Sequence, residues 1–489
     1  MVVIHTNDLH GQVLPRKNGL GEVVGGFSAI AARVRRERAE AERAGDGFLL
    51  LDAGDFFQGT PEGDLTHGVL PLEVMNSLRY DAIEVGNHEF DQGQENLRAL
   101  AAKSASPFLC ANLYEEATGK RPEYVRPFVV VEARGVRIGI VGLLTSGLKQ
   151  VCLEKNTVGL VVRTEAEALV AAAAEARAAG AEVVVALTHC GYDVEQVLAA
   201  KVPDVPVIFG GHSHTSLPEG WREPSTGVLV CQNGGGGLSL TRAVLEFDSA
   251  THELLGAWAG HVIARDADGR DAEADAIQAR YAPEIEKVMS EPVCEVSAAF
   301  TREGEGSSTL GNLVCDAMRE AAGADIALHN RTGIRADLPA GTARLREMYQ
   351  LSPFGNTIVT MELTGAEVLE LVDGMFQEPR MFLETSGLAV DFDRMAPAGK
   401  RVVSASVGGE PIRADRAYKV ATNNFLARGG DGHEVFTRGR NVRDTQVILL
   451  DAQIALARAR SPLKPDPAPR LRPVIRQNRR NARPARRAA

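Results

Sequence analysis

Five short polar motifs constrain this chain most, because each directly follows a short apolar run. The motifs are Asn7-Asp8-Leu9-His10, Gly54-Asp55, Gly86-Asn87-His88-Glu89-Phe90-Asp91, Thr188-His189 and Gly210-Gly211-His212-Ser213-His214. The runs before them are predicted to be buried strands at 2–4, 48–51, 82–85, 183–187 and 205–209, since they are apolar and rich in β-branched residues. Helical segments at 27–44 and 165–179 lie between them, which predicts an α/β fold. Ligands bind beyond the carboxyl ends of strands in such folds, so we expect the motifs to meet at one site.

The side chains in these motifs predict a metal centre. Seven of them offer ligand atoms: Asp8, His10, Asp55, Asn87, His189, His212 and His214. Oxygen and imidazole ligands, with no cysteine at a recurrent ligand spacing, suit Zn, Mn or Fe better than a structural thiolate zinc. Seven donors exceed the needs of one tetrahedral ion and fit two divalent ions about 3.5–4 Å apart that share a carboxylate. His88 and Asp91 remain for proton chemistry.

The five motifs, in this order, resemble those of the calcineurin-like metallophosphoesterases. The chain as far as about Arg458 also resembles the 5'-nucleotidase family, which includes UDP-sugar hydrolases and 2',3'-cyclic-nucleotide phosphodiesterases. The resemblance implies an N-terminal α/β sandwich that carries two metals and a C-terminal α/β domain that binds a nucleotide. It also implies two-metal hydrolysis of phosphate esters, with nucleoside 5'-monophosphates as the principal substrates.

The same resemblance assigns roles to the candidate residues. One ion is implied to bind Asp8, His10 and His214. The other is implied to bind Asn87, His189 and His212. Asp55 is implied to bridge the two ions. His88, oriented by Asp91, is implied to be the catalytic histidine that protonates the leaving oxygen.

Composition divides the chain into four parts. We expect a metallophosphoesterase domain at 1–263, a linker helix at 264–291, a substrate-binding domain at 292–460 and a disordered tail at 461–489. The linker is charged and Ala-rich with helical spacing, and domain motion about it is the expected gate. The tail is rich in Arg and Pro and poor in apolar residues, which predicts disorder; an arm for nucleic acid or an anionic surface is the alternative.

The second domain contains the candidate substrate-binding residues. A nucleoside needs aromatic faces for its base and polar groups for its ribose. The resemblance implies that Phe354 and Phe425 sandwich the base and that Asp431 binds the ribose hydroxyls. The other implied substrate contacts are Asn330, Arg335, Asn356 and Gly387.

The chain departs from the family pattern in two places. The family loop Asn-Gly-Gly-Gly-Ile-Arg has Arg331 and Thr332 in place of two glycines here, which predicts a less close approach of the backbone to substrate. The arginine that often precedes the Gly-Asn-Leu helix is also not evident, and Arg331 and Arg302 are the candidates to compensate. The Gly234–Gly237 run is predicted to be a flexible turn, because no Lys-Ser/Thr follows it.

Two alternatives stay open. An enzyme of the same fold with another substrate would act on a cyclic nucleotide, a UDP-sugar or a thiosulfate-bearing carrier. A catalytically silent nucleotide-binding protein is the more remote alternative, which the complete ligand set disfavours.

Composition narrows the partners. No stretch is apolar over the ~18–20 residues that a membrane span requires, so we expect no span. A net charge of −10 does not favour nucleic acid as the main partner, and we expect a small nucleotide substrate; the sequence does not predict an oligomeric state. No leader precedes the first strand, which predicts a cytoplasmic protein as written, whereas the resemblance implies export. The six scattered cysteines are predicted to be reduced.

Overall fold

The fold is described from a computed structural model, which covers residues 1–17, 21–152, 154–304, 306–377 and 381–474. The chain divides into two compact units, Met1–Glu286 and Lys287–Ala489. Both units combine sheets with helices, which confirms the predicted two-domain α/β fold class. No helix within these residues is both long enough and apolar enough to cross a membrane. The six cysteines, all of them described, form no disulfide.

The first unit contains sixteen strands among its described residues. They are β1 (Val2–Thr6), β2 (Arg16–Lys17), β3 (Val23–Val24), β4 (Phe48–Asp52), β5 (Ala82–Glu84), β6 (Phe108–Leu109), β7 (Leu113–Glu115), β8 (Phe128–Ala133), β9 (Val136–Leu144), β10 (Leu160–Val162), β11 (Val183–His189), β12 (Val207–Phe209), β13 (Trp221–Arg222), β14 (Leu229–Cys231), β15 (Ser239–Phe247) and β16 (Leu254–Ile263). The helices are α1 (Phe27–Ala44), α2 (Pro61–Asp64), α3 (Val69–Leu78), α4 (Gly93–Lys103), α5 (Leu148–Val151), α6 (Glu165–Ala178), α7 (Tyr192–Lys201) and α8 (Ala272–Met289). The five predicted strands and two predicted helices are all present.

Two six-stranded sheets form a sandwich in this unit. Their strand orders are β16-β15-β1-β4-β5-β6 and β13-β14-β12-β11-β9-β8. Val3 and Leu51 of the first sheet share one buried cluster with Ile140 and Leu187 of the second. Strands β1, β4 and β5 run parallel, as do β9, β11, β12 and β14, so the carboxyl ends of each set lie along one edge of its sheet. The polar motifs follow these ends.

The second unit is built on a five-stranded mixed sheet of order β21-β18-β25-β20-β26 and a four-stranded sheet of order β24-β23-β22-β27. Its strands are β17 (Pro292–Val296), β18 (Ile326–Asn330), β19 (Gly341–Arg344), β20 (Thr357–Thr364), β21 (Leu383–Ser386), β22 (Leu388–Phe392), β23 (Val402–Val407), β24 (Glu410–Pro411), β25 (Ala417–Asn423), β26 (Arg440–Ile448) and β27 (Leu471–Pro473). Its helices are α9 (Thr309–Ala322), α10 (Leu345–Leu351), α11 (Gly365–Gly374), α12 (Asn424–Ala427) and α13 (Leu449–Ala459). Buried clusters lie on both faces of β18, because Ala327 packs with α9 and α13 while Ile326 and Leu328 pack with α11.

The boundary between the units differs from the predicted end at Ile263. Most of α8 belongs to the first unit, which continues to Glu286. Polar contacts hold the start of the helix there: Arg35 Nε lies 2.6 Å from Asp271 Oδ2, and the Tyr281 hydroxyl donates to Glu73 at 2.7 Å. The charged residues that marked this segment as a linker are therefore partners for charges on the first unit.

The predicted disorder from residue 461 is wrong for residues 461–474. Leu463 and Leu471 are buried, and β27 adds to the second sheet parallel to β22. Arg470 donates to both carboxylate oxygens of Asp316, each at 2.8 Å. Composition misled here because two leucines and a strand pairing are enough to order a polar segment. Residues 475–489 of the predicted tail lie outside the described residues.

We expect Leu471→Ala to lower the free energy of unfolding by about 2–5 kcal/mol, because it empties a fully buried position. Arg472→Ala is the matched control, since its exposed ion pair with Asp391 contributes only about 0–1 kcal/mol. Urea unfolding at equilibrium measures both. Equal, small losses would show that β27 does not contribute to the stability of the unit.

Candidate functional site

The structure brings together the loops that follow β1, β4, β5, β11 and β12. His189, at the end of β11 in one sheet, places Nε2 3.0 Å from Asp55 Oδ2 on a loop of the other sheet. His214 Nε2 lies 3.3 Å from Asp8 Oδ1, which again joins the two sheets. The backbone N–H of His212 donates to both oxygens of Asp8 at 3.1 Å. All seven predicted metal ligands therefore lie in one place at the edge of the sandwich.

These loops are tight, and their backbones are unusual. Five of the seven predicted ligands have left-handed φ angles between 48° and 79°: Asp8, His10, Asp55, His212 and His214. A non-glycine residue in this region costs on the order of 1–3 kcal/mol and tends to occur at functional sites. Two loops also touch at Gly54, where an added Cβ would lie 2.5 Å from the backbone nitrogen of Gly86. The chain therefore accepts strain in order to place these side chains.

Acceptor atoms converge around His189. Its Nδ1 lies 2.6 Å from the carbonyl oxygen of Ala53, so Nδ1 carries the proton and neutral His189 presents a lone pair on Nε2. That Nε2 faces Asp55 Oδ2 and, at 3.1 Å, Asn87 Oδ1. Burial lowers the pKa of His189, but the Asp55 carboxylate outweighs burial and raises the pKa to about 10. This place therefore requires a positive charge, which either a proton or a cation supplies.

A similar arrangement surrounds His10. Its Nδ1 lies 2.8 Å from the carbonyl oxygen of Gln58, so neutral His10 also presents Nε2 as an acceptor. Nε2 lies 2.9 Å from Nε2 of His214, and Asp8 Oδ1 is 3.9 Å away. Ligand atoms of Asp8, His10 and His214 lie within 4.8 Å of one another, as do those of Asp55, His189 and His212. Histidine ligands of metals commonly donate their second ring N–H to a carbonyl in this way, so the residues fit a metal.

His88 forms a close pair with Asp91. The His88 Nδ1 lies 2.6 Å from Asp91 Oδ2, within the single 3₁₀ turn His88–Phe90 and the residue that ends it. Its Nε2 is 3.9 Å from Asp55 Oδ2. Burial lowers the pKa of His88, but Asp91 and then Asp55 raise it to about 10. His88 is thus a proton donor beside the predicted metal ligands.

Glu89 is a functional residue that sequence reasoning missed, although it lies inside the third motif. Its fully buried carboxylate accepts from the backbone N–H groups of Asp55 at 2.9 Å, Phe56 at 3.0 Å and Gly86 at 2.6 Å. It therefore ties the loop after β4 to the loop after β5. A charged residue in a motif that is otherwise buried was the only signal for this role.

In the second unit, the structure links most of the predicted substrate residues. Asp431 Oδ2 accepts from the side chains of Asn330 at 2.8 Å and Thr332 at 3.0 Å. The Arg335 guanidinium lies 5.9 Å from the ring centroid of Phe354. The Phe425 ring packs on Gly430, next to Asp431. Both phenylalanine side chains are 45% exposed, which is unusual for large apolar residues and leaves their faces accessible.

Two other predicted contacts differ. Gly387 follows β21 at the end away from Asn330, about 13 Å along the strand from Leu383, which pairs with Asn330. Its left-handed turn passes so near Asp325 that an added Cβ would lie 2.0 Å from the carbonyl oxygen. The glycine is therefore explained by packing, and the structure does not bring it to the other substrate residues. Asn356 accepts from the backbone N–H of Leu449 at 2.8 Å through its carbonyl oxygen, and its side-chain role stays a prediction.

Known proteins match both units. Residues 1–216 match the family described as calcineurin-like phosphoesterase, and residues 288–438 match the 5'-nucleotidase C-terminal domain. The chain is 30% identical to the crystal structure of a 5'-nucleotidase precursor from Thermus thermophilus, with a TM-score of 0.72 over 97% of this chain and 99% of that one. This chain belongs to the 5'-nucleotidase family.

Two curated relatives show the range of this family. Protein UshA from Escherichia coli (strain K12) is 26% identical over 517 residues, which cover 95% of this chain and 92% of UshA. The trifunctional nucleotide phosphoesterase protein YfkN from Bacillus subtilis (strain 168) is 28% identical over 498 residues, which cover 91% of this chain. The chain spans only 33% of the length of YfkN.

The structure also explains the departure from the 5'-nucleotidase pattern at Arg331. Its Nε donates to the buried carboxylate of Glu384 at 2.7 Å, and its guanidinium lies 4.1 Å from the ring centroid of Phe382. Arg302 donates to Asp337 and to the carbonyl oxygen of Arg335. Both candidate replacements for the family arginine are therefore engaged in holding their own loops.

We expect Asp91→Asn to lower the pKa of His88 from about 10 toward the ordinary value of about 6.5, because the nearest carboxylate is removed. The raised pKa means that the pair stabilises the fold fully below pH 6.5 and loses this effect as pH rises through about 10. An NMR titration of the His88 ring in metal-free protein measures the shift, with the exposed Asp193→Asn as control. An unchanged His88 pKa in Asp91→Asn would contradict the pairing.

Proposed function

We propose that this protein is a metal-dependent hydrolase that releases phosphate from nucleoside 5'-monophosphates. The observation that carries the proposal is the convergence of buried acceptor atoms from Asp55, Asn87 and His189 on a place that requires positive charge. Membership of the 5'-nucleotidase family supports the reaction type, which is hydrolysis of phosphoric monoesters.

The seven donors divide into two sets in this proposal. One divalent ion is held by Asp8, His10 and His214. The other is held by Asn87, His189 and His212. Asp55 bridges them, which the grouping of its carboxylate with histidines of both sets supports. Zn, Mn and Fe are the proposed ions, since oxygen and imidazole donors suit all three.

His88 acts on the leaving group in this proposal. Bound divalent ions supply charge neutralisation for the phosphoryl oxygens and activate the attacking water. Asp91 holds the His88 ring through Nδ1, so the proton on Nε2 points away from the pair and is available to the leaving oxygen. A protonated His88 also favours the negative charge that develops on the phosphoryl group.

The base and ribose are bound by the second unit in this proposal. Phe354 and Phe425 present exposed faces for the base, and Asp431 offers its carboxylate to ribose hydroxyls. Asn330 and Arg335 act beside them, since Asn330 fixes Asp431 and Arg335 lies over Phe354. Thr332 occupies a hydrogen-bonding position on Asp431 where the family has glycine, so cyclic nucleotides and UDP-sugars belong in any substrate panel.

We expect His88→Ala to retain both ions while kcat for AMP falls about 10²–10⁴-fold, the usual range for loss of a general acid. Asp55→Ala should lose metal as well as activity, because the shared carboxylate is removed. Elemental analysis and steady-state kinetics separate the two effects. Wild-type protein dialysed against a chelator and then given Mn²⁺ is the control. If His88→Ala lost both ions and kept its turnover per ion, the assigned role would be wrong.

We also expect Phe354→Ala and Phe425→Ala each to lower kcat/KM for AMP by about 5- to 150-fold, because stacking on a base contributes about 1–3 kcal/mol. An aryl phosphate carries no nucleobase, so its hydrolysis should change little. The exposed Val403→Ala in the same unit is the control for general effects. Equal losses on both substrates would assign the phenylalanines to the fold rather than to the base.

A further inference from the structure

The segment Gln232–Gly237, between β14 and β15, is more ordered than a flexible turn. Its four glycines are all left-handed, with φ angles from 62° to 82°. Hydrogen bonds fix it internally, since Asn233 Oδ1 accepts from Gly235 N–H at 3.3 Å and the Asn233 carbonyl accepts from Ser239 Oγ at 3.1 Å. It supplies none of the seven donors, yet it touches the loops that carry several of them.

The segment holds the Asp8 loop through the backbone. Gly236 N–H donates to the carbonyl oxygen of Asp8 at 2.6 Å. Asn233 N–H donates to Asn7 Oδ1 at 3.0 Å, and the amide nitrogen of Asn7 in turn donates to Asp8 Oδ2 at 2.6 Å. Both the position and the carboxylate of Asp8 therefore depend on this segment.

The segment also holds the loop that carries His214. The buried Gln232 side chain donates to the carbonyl oxygen of Gly211 at 2.9 Å, and its Oε1 accepts from Thr215 N–H at 2.9 Å. Glu195 fixes the other hydrogen of that amide at 2.9 Å. Gln232 thus clamps both ends of the Gly211–Thr215 loop, with His212 and His214 between them.

Gly235 fills the space behind the two donors. An added Cβ at this position would lie 3.0 Å from Asp8 Cβ and 3.4 Å from His214 Cγ. The donors Asn87 and His189 have other supports, namely Glu89 beneath the Asp55 and Asn87 loops and the Ala53 carbonyl at His189. The two sets of donors are therefore held by separate parts of the fold.

We propose, on the basis of the function proposed above, that Gln232–Gly237 is a positioning segment for the ion at Asp8, His10 and His214. Through Gly235 and Gly236 it sets the separation of Asp8 and His214 and leaves the other ion unaffected. Gln232 acts more widely, because its loop carries a donor to each ion. Neither residue touches substrate or an ion; both act through the donors that they hold.

The test is Gly235→Ala, which pushes on Asp8 and His214 together. Gly227→Ala is the matched control, since Gly227 has a similar φ of 77° but nothing within 4 Å of its added Cβ. Titration of metal-free protein with Mn²⁺ should show one ion bound about 10–100-fold more weakly in Gly235→Ala, the usual effect of disturbing a ligand's support, and two unchanged ions in Gly227→Ala. Gln232→Leu should weaken both ions.

Double variants identify the ion concerned. Combined with His214→Ala, Gly235→Ala should cause no further loss of affinity, because both changes act on one ion; combined with His189→Ala, it should leave neither ion tightly bound. Asn233→Ala, which adds no atoms, should weaken the same ion to a smaller extent. Equal weakening of both ions by Gly235→Ala, or no more weakening than in Gly227→Ala, would overturn the positioning role. A wild-type protein that bound no ion would instead refute the proposed function.

Discussion

The site depends on holding acceptor atoms together where water cannot separate them. Asp8 and Asp55 are almost fully buried, and their carboxylates face histidine nitrogens whose other ring positions are committed to backbone carbonyls. Burying a charge without a partner costs several kcal/mol, so this arrangement is stable only with added positive charge. Protons on His189 and His214, whose pKa values are raised by Asp55 and Asp8, meet this need in the absence of metal.

The surrounding fold resists the repulsion within that cluster. Five donors keep left-handed backbones, and Glu89 and Gln232 each bind several backbone groups of the donor loops. The two apolar sheets behind the loops supply the rigidity that such strain requires. A cation that replaces repulsion with coordination then stabilises the folded state, so ion binding and folding are coupled.

The sequence predicted the parts that depend on local pattern. Apolar runs ending in Asp, Asn or His indicated the strands, the edge of the sheets and the seven donors, because a motif at a strand end needs only its own neighbours to be recognised. Glu89, Glu195 and Gln232 were not found, since their roles follow from which loops they reach across the sandwich. Leu471 and Gly387 were misjudged for the same reason: a leucine in a polar tail and a glycine beside an aromatic loop acquire their meaning from distant partners.

The two units treat their functional residues differently. In the first unit most donors are buried and fixed by several hydrogen bonds, so a substitution there disturbs the network and is costly. In the second unit the phenylalanines are half exposed, and few contacts hold their rings. A change at Thr332 or Phe354 is therefore expected to alter what binds without altering the chemistry. Relatives as distant as UshA and YfkN, at 26% and 28% identity, still match most of this chain. In such a family we expect the choice of substrate to vary at exposed positions of the second unit, because those positions can change without disturbing the buried donors.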